Sequence, residues 1–160
     1  MKLEKFSRHK ATHGYMAAKY PAILMNIALA ILIFIPGVTY LAWLLAFIFL
    51  YREKDSNFLR LHQSQNVFLL LILSILRLAL STTGDFLIRR AVRSQSQNLY
   101  MQSLIWNKRL DLLGLSLQII VLIILIVQAF MAYSYIFLKL PGLGTLAHKL
   151  EEATRPGPLR

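Results

Sequence analysis

Cysteine is absent from this chain of 160 residues, and charged residues make up only 16% of it. Without a thiol, the chain has no disulfides, no thiolate metal sites and no cysteine nucleophile. Hydrophobic residues make up 57%, which is more than a water-soluble domain of this length usually carries. The few charges cluster between long apolar runs, and this segregation is typical of an integral membrane protein.

Motifs of known catalytic chemistry are also missing from the sequence. It contains no HExxH, no GxSxG, no Walker loop and no pair of carboxylates within an apolar run. His9 and His13 stand four positions apart, but a zinc site needs at least three protein ligands and no third one is evident nearby. We therefore expect neither an enzyme nor a bound metal or cofactor.

Acidic residues are few, and basic residues dominate the charge. The chain has 18 Lys and Arg against 7 Asp and Glu, which gives a net charge of +11. The basic residues flank apolar segments, and no nucleic-acid-binding motif accompanies them. Anionic lipid headgroups and the positive-inside rule account for this pattern, so we expect membrane lipids as partners and no nucleic acid.

The apolar runs predict an all-α integral membrane protein with four transmembrane helices, over residues 21–35, 38–51, 57–88 and 112–138. An interfacial amphipathic helix is expected within 99–110, where aromatic and basic residues alternate. The predicted organisation is a basic juxtamembrane arm over 1–20, one transmembrane domain over 21–149 with a basic interfacial insert at 89–111, and a flexible tail over 150–160.

Two arrangements fit the first apolar run. As a single helix, Ala22 to Leu50 would be about 43 Å long, well beyond the ~30 Å hydrocarbon core, and Pro36-Gly37 divides it. It is therefore either one long kinked span or a tight hairpin of two short helices. The hairpin places the arm, the 51–60 segment and the tail on one side, with five, three and four Lys or Arg, against five in the 89–109 segment. The positive-inside rule favours this arrangement, with both termini cytoplasmic in the inner (plasma) membrane.

Polar residues at the start of the third predicted helix form the leading candidate site. His62 and Gln65 share a helical face, and Phe58 and Arg60 precede them. They either form an ordinary amphipathic helix start or a polar cluster that bonds to neighbouring elements. We expect Arg60, His62 and Gln65 to donate to the 52–57 loop or to the 141–144 segment, where helices end and leave free carbonyls.

Other polar residues lie within the apolar runs. Arg77 is costly inside an apolar helix and is either functional or snorkels to the interface. Gln118 and Gln128 are expected to join helices by hydrogen bonds. The turn residues that should end helices in these runs are Pro36, Gly37, Pro141, Gly142 and Gly144.

The order of these features resembles a family of small bacterial membrane proteins related to the twenty-kilodalton component of the chloroplast inner-envelope import translocon. That family has an apolar hairpin, a short charged loop and a phenylalanine–x–arginine–x–histidine–x–x–glutamine pattern, which Phe58, Arg60, His62 and Gln65 match. The sequence departs from the family at Leu61, where an aromatic residue is usual, and in a longer, more basic insert before the last helix. The resemblance implies a four-helix membrane protein, and its plant relatives are linked to preprotein translocation.

The expected function is therefore that of a non-enzymatic subunit of a membrane assembly, one that translocates or inserts polypeptide. Its partners would be other membrane protein subunits or further copies of the chain. The alternative is a small transporter, channel or lipid-handling protein that acts alone, which would need a polar path through the helices.

Overall fold

The computed structural model describes residues 2–5 and 17–155. Most of the predicted basic arm, including His9 and His13, lies outside these ranges. The described part is all-α in architecture, as the sequence predicts, with a small two-stranded ribbon at one end. In chain order its elements are β1 (Lys2–Lys5), α1 (Lys19–Leu32), a 3-10 turn (Val38–Tyr40), α2 (Ala42–Arg52), α3 (Asn57–Arg93), α4 (Gln97–Tyr133), β2 (Ile136–Lys139) and α5 (Leu143–Ala153).

The division of the first apolar run is confirmed. Helix α1 ends at Leu32, Gly37 has φ +81°, and α2 begins at Ala42. A positive φ is costly for residues with a Cβ, which is why glycine occupies this turn. The 14 residues of α1 and the 11 of α2 are about 21 and 16 Å long, so each is shorter than a hydrocarbon core.

Helices α3 and α4 form a long antiparallel hairpin. Each has 37 residues, about 55 Å, and the turn between them reverses at Gln95, whose φ is +52°. The prediction of a separate interfacial helix within 99–110 is wrong, because α4 runs without interruption from Gln97 through this segment. Ser96 caps the start of α4 by accepting from the Leu99 amide at 3.5 Å, and no proline follows to break the helix.

The other end of α4 also differs from the prediction. The helix stops at Tyr133, five residues earlier than expected, because Tyr135 adopts φ +55° and the chain then extends as β2. Strand β2 pairs antiparallel with β1, with Lys2 opposite Lys139 and Lys5 opposite Ile136. This ribbon adds the start of the chain to the same end of the molecule as the last helix.

Helix α5 is an element that the sequence analysis does not predict. It runs to Ala153, so the first residues of the segment expected to be a flexible tail are helical. It packs along the start of α3 and buries Gly144, Ala147 and Glu151. Residues 156–160 lie outside the described ranges.

The described helices include two, α3 and α4, that are long and apolar enough to cross a membrane. Their core joins α1, α2, α3 and α4 through fully buried aliphatic side chains such as Leu29, Leu70 and Leu125. The outward side chains are apolar as well. On α4, those from Leu112 to Tyr133 that are exposed include Leu113, Ile120, Ile123 and Phe130. An apolar exterior of this kind is suited to lipid and not to water.

Candidate functional site

Arg60 is the centre of the polar cluster at the start of α3, and its side chain is 1% exposed. Its Nη1 donates to the carbonyl of Glu53 at 2.6 Å, where α2 has just ended. Its Nε donates to the Glu151 carboxylate at 3.2 Å, and its Nη2 donates to the Glu151 carbonyl at 3.1 Å and to Thr154 Oγ1 at 3.0 Å. One guanidinium therefore joins the end of α2, the start of α3 and the last turn of α5.

The loop before α3 is ordered by its own side chains, and this order positions Arg60. Ser56 Oγ accepts from the Leu59 amide at 3.2 Å and so caps the helix. The Glu53 carboxylate accepts from the amides of Ser56 at 3.0 Å and Asp55 at 3.2 Å. These bonds fix the loop so that the Glu53 carbonyl faces the arginine.

Gln65 holds the segment around β2 with both halves of its amide. Its Nε2 donates to the Leu138 carbonyl at 2.9 Å, and its Oε1 accepts from the Leu140 amide at 3.3 Å. The side chain thereby takes the place of a neighbouring strand along β2. Both backbone groups are satisfied without water, as buried backbone requires.

His62 lies between aromatic rings and is fully buried. Its ring meets Phe58 at 4.6 Å and Phe137 at 5.3 Å, both in edge-to-face geometry. Neither ring nitrogen has a hydrogen-bond partner of ordinary geometry among the described residues, so the predicted bond to the 52–57 loop or to the 141–144 segment is not formed. Phe58 also contacts Tyr135 at 5.4 Å. Such pairs of rings add to the energy of burial, so His62 is a packing element between α3 and β2.

The structure forms some of the predicted contacts of this cluster and not others. Arg60 bonds to Glu53 in the 52–57 loop, as expected. Gln65 instead bonds to Leu138 and Leu140, which precede the 141–144 segment. That segment makes the turn into α5: Pro141 and Gly142 are exposed, Gly142 has φ +73°, and Gly144 lies against the Lys139 side chain.

Glu151 and Thr154 are partners of Arg60 that the sequence analysis misses. They were missed because α5 was not recognised, although Leu143, Ala147 and Leu150 recur at helical spacing and give a readable apolar face. Glu151 lies beside that face, and an acidic residue in this position indicates an arginine partner on a neighbouring helix.

A second polar cluster lies at the tip of the α1–α2 hairpin. Gln118 Nε2 and Thr39 Oγ1 both donate to the Ile33 carbonyl, each at 2.7 Å. Ser74 Oγ donates to the Thr39 carbonyl at 3.1 Å and to Leu70 at 2.7 Å. Gln118 joins helices as predicted, whereas Thr39 and Ser74 were not singled out. The carbonyl left free where α1 ends is satisfied entirely by side chains.

Arg77 and Gln128 are not part of either cluster. Arg77 is half-buried and lies against Gly114 of α4, where a Cβ would meet its guanidinium. Gln128 is fully buried, and neither amide atom has a hydrogen-bond partner among the residues that the structure describes. A third polar contact joins Asn66 Nδ2 to Asn26 Oδ1 at 2.8 Å between α3 and α1.

The polar residues do not form a continuous path along the described helices. Those near the start of α3 end at Asn66, and the next buried one on this helix is Ser74. Between them the core is filled by Leu29, Leu70 and Leu125, each with no exposed surface. Among the described residues no group of three or more His, Cys, Asp or Glu is placed to hold a metal ion.

Comparison of the chain with family models, with curated proteins and with solved structures finds no match. The relationship to the translocon-related family stays a prediction from the motif around Phe58, Arg60, His62 and Gln65.

Proposed function

We propose that this chain is a non-enzymatic subunit of a membrane assembly, and that it spans the inner membrane four times with both termini cytoplasmic. The observation that carries the proposal is an apolar and basic surface on the outer part of the α3–α4 hairpin, which no other described helix covers. This surface lies beyond the tip of the α1–α2 hairpin.

The length of the helices sets where this surface begins. The tip of the α1–α2 hairpin lies beside Ser74 and Gln118. Beyond these residues α3 continues to Arg93, about 28 Å, and α4 extends back to Gln97, about 32 Å. We call the outer portion of this part, residues 78–111, the hairpin extension.

The apolar part of α4 fits a bilayer without the extension. Leu112 to Tyr133 has 22 residues, about 33 Å, which is close to the ~30 Å hydrocarbon core. The side-chain donors at the hairpin tip satisfy backbone groups that would find no water in hydrocarbon, so the two short helices can cross where the bilayer thins around them. In this placement the hairpin extension stands outside the hydrocarbon.

The surface of the hairpin extension is unusual for a water-facing segment. Phe86, Val92, Met101 and Trp106 are each more than half exposed. Exposed basic residues lie among them, namely Arg89, Arg90, Arg93, Lys108 and Arg109. Apolar groups of this size beside positive charge are what a protein interface presents, and the charge indicates an acidic partner surface.

Translocation or insertion of polypeptide is the particular role that the family resemblance implies. The alternative role as a channel or transporter needs a polar path, and the fully buried leucines between the two polar clusters weigh against it. A subunit role needs no such path, so we favour it.

Photo-crosslinking in membranes tests the proposal. A photoreactive residue at Trp106 or Phe86 should crosslink to discrete protein partners, whereas the same residue at Ile123, which is exposed on the apolar part of α4, should crosslink mainly to lipid. If Trp106 and Phe86 yield only lipid adducts and the chain purifies as a clean monomer in mild detergent, the subunit proposal is wrong.

Cysteine accessibility tests the topology separately. Because the chain has no cysteine, Asn57→Cys and Gln97→Cys each introduce a single exposed thiol. The four-span arrangement places them on opposite sides of the membrane. Labelling of both from the same side would contradict it.

A further inference from the structure

A groove of about 1000 Å³ runs between α1 and α4 on the outer surface of the helices. Its walls are almost entirely apolar and include Ile27 and Ile31 of α1, Phe34 in the turn that follows, and Ile126 and Phe130 of α4. Several of these side chains are about half exposed or more, so the groove is open along its length to whatever surrounds the helices. It spans Leu122 to Ser134, about 18 Å along α4.

One end of the groove carries a positive charge. Lys19, at the start of α1, places its Nζ 4.4 Å from the centre of the Tyr133 ring, and Tyr133 lines the groove. The same ammonium lies 5.1 Å from the centre of the Tyr20 ring. Aromatic residues beside a lysine are typical of the headgroup level of a bilayer. This end therefore presents a cation where a lipid phosphate would lie.

A buried polar group faces the apolar wall deeper in the groove. Asn26 lines the groove and is 1% exposed. Its Oδ1 accepts from Asn66, but its Nδ2 has no hydrogen-bond partner among the described residues. A donor in an apolar surrounding is costly when it is unpaired, so a rotation of this amide toward the groove would be stabilised by a ligand with an acceptor at that depth.

We propose that the groove binds one anionic phospholipid, with its phosphate beside Lys19, an ester carbonyl accepting from Asn26 and an acyl chain along α1 and α4. Lys19 and Asn26 are seven residues apart, a rise of about 10 Å, which accommodates the phosphate and glycerol between them. The bound lipid would complete the wall that α1 and α4 leave open. This inference does not depend on the proposed subunit function.

Native mass spectrometry of the full chain, delipidated and then titrated with phosphatidylglycerol or phosphatidylethanolamine, tests the site. The wild type should retain one phosphatidylglycerol in preference to phosphatidylethanolamine. Ala129→Trp fills the groove and should abolish most of this retention, whereas Ala79→Trp, on an exposed face of α3 outside the groove, should leave it unchanged. Equal retention by the two tryptophan variants, or none by the wild type, overturns the proposal.

The headgroup and ester contacts have their own readouts. Lys19→Gln should lower the preference for the anionic lipid about fivefold, the attraction expected of one lysine near an anionic surface, while Lys149→Gln should not change it. With phosphatidylglycerol labelled by carbon-13 at the ester carbonyls, binding should lower the infrared frequency of one carbonyl in the wild type and not in Ala129→Trp. Size-exclusion profiles and circular dichroism establish that each variant is folded. If lipid retention depends neither on the headgroup nor on Lys19, and no infrared shift is observed, the proposed pose is wrong.

Discussion

Arg60 Nε lies 3.2 Å from the Glu151 carboxylate, 91 residues later in the sequence, and the two side chains are 1% and 4% exposed. Burying a charged pair costs desolvation energy, and only good geometry with further hydrogen bonds recovers it. Arg60 meets this condition, because its other donors reach the Glu53 and Glu151 carbonyls and Thr154. The Arg60–Glu151 ion pair therefore holds α5 against α3.

Removing the arginine should be strongly destabilising. Arg60→Ala leaves the Glu151 charge buried and frees two carbonyls, so we expect a loss of about 3–5 kcal/mol in the free energy of unfolding. Denaturant unfolding in detergent micelles measures it. The matched control is Arg155→Ala: Arg155 also contacts the Glu151 carboxylate, at 3.1 Å, but is 54% exposed, and exposed pairs contribute about 1 kcal/mol or less. Similar losses for the two variants would show that burial of the Arg60 pair has no special role.

Gln65 should be needed for the order of β2. Gln65→Leu keeps the size of the side chain but leaves the Leu138 carbonyl and the Leu140 amide without partners. Each orphaned group costs about 1–3 kcal/mol, so a total of about 2–6 kcal/mol is expected. Hydrogen exchange of the Leu140 amide should accelerate more than that of amides in α4. Unchanged protection at Leu140 would mean that this contact does not hold the segment.

At the tip of the α1–α2 hairpin, the contributions of Gln118 and Thr39 to the free energy of unfolding should be strongly coupled. Gln118 and Thr39 both donate to the Ile33 carbonyl, so Gln118→Leu or Thr39→Val alone leaves it one partner. The double variant leaves none, in a region where an unsatisfied group costs several kcal/mol. The combined loss should therefore exceed the sum of the single losses by about 1 kcal/mol or more, measured by a double-mutant cycle. Strict additivity would contradict the shared-acceptor geometry.

The apolar pattern was sufficient to predict four of the described helices, although α4 begins and ends earlier than predicted. Pro36-Gly37 marked the interruption of the first apolar run, because proline removes a helical hydrogen bond and glycine permits a positive φ, and the structure shows that the interruption is a hairpin. The continuity of α4 was harder to foresee. Lys108 and Arg109 suggested a boundary, yet charged residues continue a helix readily when no proline intervenes.

The sequence predicts the residues of the candidate site that lie on α3, but not their partners in α5 and β2. The spacing of Arg60, His62 and Gln65 indicated a polar cluster that bonds to helix ends, and the bond to Glu53 agrees with that prediction. The partners in α5 and β2 depend on how distant segments pack, which local spacing does not encode. Short elements such as Ile136–Lys139 also carry too few residues for a clear period.

Two substitutions at His62 distinguish a packing role of this residue from a chemical role. Its ring lies edge-on against Phe58 and Phe137, so the site selects for a flat ring more than for a nitrogen. His62→Ala should cost about 2–4 kcal/mol in the free energy of unfolding, because it opens a cavity between α3 and β2. His62→Phe should recover at least half of that loss, since ring-to-ring contact is kept. Thermal unfolding in micelles measures both.

The same pair of variants tests whether the position acts in the assembly. If packing is the role of His62, His62→Phe should keep the crosslinks made from Trp106, which is 44 residues from His62 in the sequence and lies in the hairpin extension. His62→Ala should lose them only to the extent that it unfolds. A His62→Phe chain that is as stable as the wild type yet forms no crosslinks would assign the imidazole nitrogens a functional role and overturn the packing interpretation.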